Sequence, residues 1–72
     1  MTISERKEIF KTIKAGLKGI KLPDAPFKLG AGETIMDCKK FVESHILIIE
    51  NNIDSDICLP YLERLQKFAE MI

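Results

Sequence analysis

Residues 21–36, KLPDAPFKLGAGETIM, separate one helical pattern before them from two after them. Two prolines and two glycines within ten residues exclude a regular helix here. The segment nevertheless keeps four large apolar residues, Leu22, Phe27, Leu29 and Ile35, which predict that it lies against a core. Residues 27–29 and 33–35 suit a minimal β pairing around the glycines, so the range 27–35 is where strands are expected.

Three flanking segments have apolar residues at helical spacing. The first is predicted from about Ser4, its N-cap, to Ile20, with Gly19 near its end. The second runs from about Asp37, also an N-cap, to Asn52. The third has Pro60 in its first helical turn, and residues 57–59 lead into it. The predicted buried stripes are Ile9, Phe10, Ile13, Leu17 and Ile20, then Cys38, Phe41, Val42, His45, Ile46, Ile48 and Ile49, then Tyr61, Leu62, Leu65, Phe68, Ala69 and Ile72. This pattern predicts an all-α fold, a small three-helix bundle with one long ordered loop.

The length sets the scale of the molecule. A chain of 72 residues buries only about 60% of the surface that its unfolded form exposes, so one helical domain, residues 1–72, is expected. Its free energy of unfolding should be roughly 4–10 kcal/mol. This size excludes a two-domain enzyme, a dinucleotide-binding sheet and a closed barrel. With 46% hydrophobic residues the chain is too apolar for a disordered tail.

The apolar runs and the cysteines indicate the cellular compartment of the protein. The longest apolar run, residues 46–49, is far shorter than the ~20 residues that span a bilayer. The first 20 residues lack the continuous apolar core of a signal peptide. Cys38 and Cys58 are interpreted as reduced core thiols, because a secreted domain this small usually carries more cysteines. We therefore expect a cytoplasmic protein with no membrane partner.

His45 is the only histidine and lies at the centre of the second apolar stripe. It is a candidate buried polar residue with two interpretations. One is a switch or ligand that titrates near neutral pH, and the other is a half-buried ring bonded to a carbonyl of segment 21–36. Cys38 lies two helical turns away, too far for a Cys–His nucleophile pair.

No other pattern indicates chemistry. A zinc site from the two cysteines and His45 would lack the short ligand spacings of structural zinc sites. Gly30-Ala31-Gly32 lacks the strand, lysine and helix of a phosphate loop. A thin core leaves little room for a closed pocket. The sequence therefore predicts no enzymatic activity, no cofactor and no metal.

Charge is unevenly distributed although the net charge is zero. Residues 1–28 hold seven basic and three acidic residues, a balance of +4, and residues 29–72 hold four and eight, a balance of −4. The first helix carries one stripe of lysines: Lys7, Lys11, Lys14, Lys18 and Lys21. Such a stripe can bind the phosphates of a nucleic acid, lie on a membrane surface, or simply cover an apolar seam with its aliphatic stems. It contains no arginine or aromatic residue, which base recognition favours, and the long connections do not suit a helix-turn-helix.

Several apolar residues fall outside the predicted stripes, namely Leu47, Met71 and Met36. Surplus apolar surface on a small domain often contacts a partner or a second copy of the chain. We therefore predict a non-enzymatic protein–protein interaction or regulatory module. Its candidate interaction surface is Lys7, Lys11, Lys14, Lys18, Leu47 and Met71. The alternative is a small nucleic-acid-binding regulator that uses the lysine stripe.

Short runs between residues 22 and 65 resemble a small uncharacterised bacterial domain family of Bacteroidetes-type genomes. They are LPDAP at 22–26, ETI at 33–35, FVE at 41–43 and, most specifically, LPYLERL at 59–65. The resemblance covers about residues 20–70 and matches the lysine-rich first helix least well. A domain of unknown function implies no activity and no catalytic residues, but this pattern draws attention to His45 and Arg64. Chain size and the resemblance suggest an accessory role in a phage or mobile element.

Overall fold

The computed structural model describes residues 1–30 and 32–72. The elements in chain order are α1 (Ile3–Lys18), β1 (Phe27–Gly30), β2 (Glu33–Ile35), α2 (Cys38–Asn51) and α3 (Cys58–Met71). Three helices therefore account for most of the described residues, as predicted. The fold is not purely helical, because the predicted pairing within 27–35 is present as a two-stranded antiparallel hairpin.

The start of α1 corrects the predicted cap. Thr2, not Ser4, is the N-cap: its hydroxyl accepts a hydrogen bond from the Glu5 amide at 3.1 Å, and the Glu5 carboxylate accepts from the Thr2 amide at 2.9 Å. This reciprocal pair is a capping box, and its T-x-x-E signature is present at residues 2–5. At the other end, α1 stops at Lys18 with Gly19 as its C-cap. Ile20 consequently lies outside the helix and is largely exposed.

The second and third helices begin differently. Asp37 caps α2 as predicted, its carboxylate accepting from the Lys40 amide at 3.1 Å. α3 begins at Cys58, so Pro60 lies in its first turn, as predicted. The preceding turn already winds helically, since the Ser55 amide donates to the Asn52 carbonyl and the Cys58 amide to the Ser55 carbonyl. The first four N–H groups of a helix have no partner within it, so the missing N–H of Pro60 costs no helical hydrogen bond.

The hairpin attaches the long connection to the core. Phe27 pairs with Ile35, and the register shifts between Lys28 and Gly30. Leu29 and Ile35 are buried, and the Phe27 ring packs edge-on against Phe68 with ring centroids 5.3 Å apart. The prediction that this segment lies against the core is confirmed. Gly32 has φ of +85°, a conformation that favours glycine, while Ala31 lies outside the described residues.

The core lies where α3 packs against both other helices. Its most buried side chains are Phe68, Leu65, Ile49 and Cys58, each with no measurable exposure. The two cysteines are buried and free, as predicted.

α1 and α2 run in opposite directions. Arg6, near the start of α1, donates to the carbonyl of Ile53 just after α2 ends. At the other end, Lys18 borders the same groove as Cys38 and Glu43, near the start of α2.

Candidate functional site

The four lysines of the first helix form one continuous surface, as the spacing predicted. Lys7, Lys11, Lys14 and Lys18 are exposed and line a shallow groove of about 360 Å³ along α1. Its remaining lining is Phe10 and Ala15, which lie at the two edges of the lysine stripe. We call these six residues the lysine groove.

Lys14 connects the lysine groove to the second helix. Its ammonium lies 3.6 Å from the Glu50 carboxylate of α2 and 5.3 Å from the centroid of the Phe10 ring. Both side chains of the ion pair are about half exposed, so the pair contributes no more than about 1 kcal/mol. The pair matters for its position, because it holds Glu50, in the last turn of α2, beside Lys14.

Leu47 lies on those outer turns and is 62% exposed. Glu43 precedes it by four residues and Glu50 follows it by three, so both carboxylates share its helix face. We call Glu43, Leu47 and Glu50 the acidic strip. Leu47 therefore shares a helix face with Glu50, which pairs with Lys14, whereas Met71 is the half-exposed last residue of α3; neither lines the lysine groove.

His45 is buried, and its hydrogen bonds fix its protonation state. Nδ1 donates to the Phe41 carbonyl oxygen at 2.8 Å, and Nε2 accepts from Nη1 of Arg64 at 3.1 Å. A carbonyl can only accept and a guanidinium can only donate, so the ring is neutral with its proton on Nδ1. The expectation of a half-buried ring bonded to segment 21–36 was wrong. The carbonyl belongs to the same helix, four residues earlier, and the side chain is only 6% exposed.

Arg64 extends this network from α3 to the hairpin. Its Nη2 donates to the Glu33 carboxylate of β2, and its guanidinium carbon lies 5.3 Å from the centroid of the Phe41 ring. The Phe41 ring in turn stacks on His45 at a centroid distance of 3.9 Å, and Tyr61 packs edge-on at 5.5 Å. We call His45, Arg64 and Glu33 the polar network. It joins α2, α3 and the hairpin.

The network also sets the pKa of His45. Burial lowers the pKa of His45 below its ordinary value, and the positive charge of Arg64 lowers it further. The Phe41 carbonyl and the Glu33 carboxylate act in the opposite direction without reversing the shift. Protonation would break the bond that Arg64 donates and place two positive charges side by side.

Arg6 is a buried charge that the sequence reasoning missed. It is 7% exposed, and its guanidinium donates to Asp56 Oδ1 at 2.5 Å and to the Ile53 carbonyl at 3.4 Å. These bonds tie the start of α1 to the turn between α2 and α3. A signal was available, because Arg6 precedes Phe10, Ile13 and Leu17 at helical spacing and so occupies the same face.

The Cys38 thiol is a further group whose reactivity depends on its surroundings. Burial raises the pKa of the Cys38 thiol, with a smaller contribution from the charge of Asp37, which disfavours the nucleophilic thiolate. No group of three or more His, Cys, Asp or Glu side chains in residues 1–30 and 32–72 could hold a metal ion. Across the same ranges, none of the helices combines the length and apolarity needed to cross a bilayer.

The fold and site thus define a small, mostly helical domain with a polar network around the buried His45 and an external lysine groove. The chain belongs to the family DUF6965, a domain of unknown function, whose model matches residues 1–72. The resemblance to a domain of unknown function is therefore confirmed, and it extends over the first helix as well. No match was found among the curated proteins or the solved structures.

Proposed function

We propose that this domain is a non-enzymatic protein-interaction module whose contact surface is the lysine groove with Leu47 beside it. The observation that supports this is the combination of exposed lysines, an apolar lining from Phe10 and Ala15, and a 62% exposed leucine on the adjacent helix. An acidic amphipathic partner suits such a surface. Its carboxylates would pair with the lysines while its apolar side chains cover the groove.

The internal position of the reactive groups supports binding over catalysis. Both ring nitrogens of His45 are hydrogen-bonded within the protein, and Arg64 is engaged by His45 and Glu33. Cys38 is buried, with a thiol pKa above its ordinary value. A catalytic residue must reach a substrate, whereas each of these side chains stabilises the fold.

The proposal includes a cytoplasmic location and a bacterial, Bacteroidetes-type origin with a phage or mobile-element role. The buried free thiols of Cys38 and Cys58 support the location, because thiols persist in reducing compartments. The origin and role rest on the sequence resemblance and the chain length.

Nucleic-acid binding is the second candidate, favoured by four lysines on one helix face. Two features of the groove favour a protein partner instead. It contains no arginine for base recognition, and its aromatic ring, Phe10, is only 8% exposed and so cannot stack on a base.

An NMR titration tests the proposal and separates the two candidates. The ¹⁵N-labelled protein is titrated with a synthetic helical peptide that carries leucines on one face flanked by glutamates. It is also titrated with a DNA duplex of about 20 base pairs at about 0.15 M salt. We expect the peptide to shift the amides of residues 7–18 saturably. The double variant Lys7→Glu/Lys11→Glu should abolish these shifts, while the matched control Lys28→Glu/Lys67→Glu, on the hairpin and α3, keeps them.

The other results would contradict the proposal. If only the duplex shifts these amides, and its affinity falls steeply with salt, the lysine groove binds nucleic acid. If neither probe shifts them, the groove is a solvated helix face and the proposed surface is wrong.

A further inference from the structure

We propose that the partner is a second copy of this chain, bound across a two-fold axis that runs between α1 and α2. This inference rests on the proposed function, because it names the partner of the same surface. The lysine groove of each copy would cover the acidic strip of the other.

The basic and acidic sides of this surface lie side by side. Lys14 and Glu50 are joined by the 3.6 Å ion pair, and Lys18 and Glu43 border one groove further along the antiparallel helices. At a rise of about 1.5 Å per residue, Lys18 lies about 6 Å beyond Lys14 and Glu43 about 10 Å beyond Glu50, so their levels differ by about 4–5 Å, a distance that long side chains span. The surface is therefore divided lengthwise into a positive side and a negative side.

A two-fold axis along the dividing line makes this surface complementary to itself. Rotation by 180° about an axis in the contact plane exchanges the two sides and preserves the level along the helices. Glu43 of the second copy then faces Lys18 of the first, and the reverse contact occurs by symmetry. Leu47, which lies between Glu43 and Glu50, is carried towards the apolar lining at Ala15. The exposed leucine of one copy and Ala15 of the other thereby cover each other.

The charge balance of the chain permits this association. The net charge is zero, so two copies do not repel each other at long range. The opposite balances of residues 1–28 and residues 29–72 favour contact between unlike parts. A surface of one sign would need a foreign partner, whereas a surface divided into both signs can bind itself.

Sedimentation analysis of the full chain tests the inference. The wild-type protein is measured from about 10 μM to 1 mM at low salt, and we expect a monomer–dimer equilibrium in this range. Leu47→Asp should abolish the dimer, while Ile57→Asp, at an equally exposed apolar residue outside the surface, should leave it unchanged. Circular dichroism verifies that each variant is folded, as expected for exposed positions.

Charge reversal supplies the sharper control. Lys18→Glu should weaken the dimer on the order of tenfold, because the symmetry counts each lost ion pair and each new repulsion twice. The double variant Lys18→Glu/Glu43→Lys should restore most of the affinity, and Lys28→Glu, with the same charge change, should have no effect.

Two results would overturn the inference. A monomer at every concentration excludes self-association, and a dimer that Leu47→Asp and Lys18→Glu do not affect places the contact elsewhere. The acidic-peptide titration tests the proposed function separately from these two results. If the chain is monomeric and the peptide still binds residues 7–18, the inference fails and the proposed function stands; if the peptide also fails, both are wrong.

Discussion

Replacing Arg64 with methionine tests the polar network directly. Methionine keeps an unbranched apolar stem but lacks the guanidinium, and so removes three contacts: the bond to Nε2 of His45, the ion pair with Glu33 and the position over the Phe41 ring. It also removes the positive charge that lowers the pKa of His45. The variant should therefore change both the stability of the domain and the titration of the histidine.

The size of the stability loss follows from the three contacts. A hydrogen bond to a neutral buried ring contributes about 0.5–1.5 kcal/mol. The ion pair contributes about 0.5 kcal/mol, because both side chains are more than one third exposed and water screens them. A cation–π contact at this exposure adds about 0.5–1 kcal/mol. We expect a loss of roughly 2 kcal/mol, which a domain with roughly 4–10 kcal/mol of stability survives.

The assays are urea unfolding followed by circular dichroism and a pH titration of the His45 ring signals by NMR. Arg64→Met should raise the pKa of His45, since the nearby cation is gone and Nε2 is free to take a proton. Arg64→Lys is the matched control, because it keeps the positive charge and loses the planar geometry of the guanidinium. In this variant the pKa of His45 should rise less than in Arg64→Met. An unchanged or lowered pKa in Arg64→Met, or a loss below about 0.5 kcal/mol, would refute the network as described.

Three further predictions concern stability. Because the pKa of His45 is lowered on folding, the unfolded chain binds more protons, so stability should fall as the pH drops below about 6.5. In His45→Gln the unfolding free energy should depend less on pH between 6.5 and 5, and an identical slope would contradict the assignment. Phe41→Ala should cost roughly 3–5 kcal/mol in urea unfolding, because the ring is buried and packs on both His45 and Phe68; a near-neutral result would contradict its place in the core. Pro60→Gly should cost about 1 kcal/mol by thermal unfolding, since exposed Pro60 mainly restricts the unfolded chain, and a loss above about 2 kcal/mol would mean that it packs.

The sequence predicted most of the helical fold because each helix buries one regular stripe. Phe10, Phe41 and Phe68 all recur in such stripes, and all are buried. Asp37 was identified as an N-cap because its carboxylate can accept from the free backbone N–H groups at the start of a helix. The same rule was applied two residues too late at α1, where Thr2 and Glu5 form the cap in place of Ser4.

The parts of the site that could not be predicted from the sequence depend on tertiary contacts. Periodicity placed His45 on the inner face, but it cannot show that the ring bonds its own helix and accepts from Arg64. Arg6 was missed because a charged residue is counted as polar in a hydrophobic pattern, although its position continued the buried face. The lysine stripe was predictable from spacing alone. Its proximity to Glu50 was not, because that depends on how α1 and α2 approach each other.

The central claim is that the lysine groove and the acidic strip form one binding surface. The most direct test follows the amide signals of the ¹⁵N-labelled chain by NMR as its concentration rises from about 50 μM to 1 mM. We predict concentration-dependent shifts in two groups, residues 7–18 of α1 and residues 43–50 of α2, with the same midpoint. Spectra that stay unchanged, or shifts confined to the hairpin or α3, would contradict the claim.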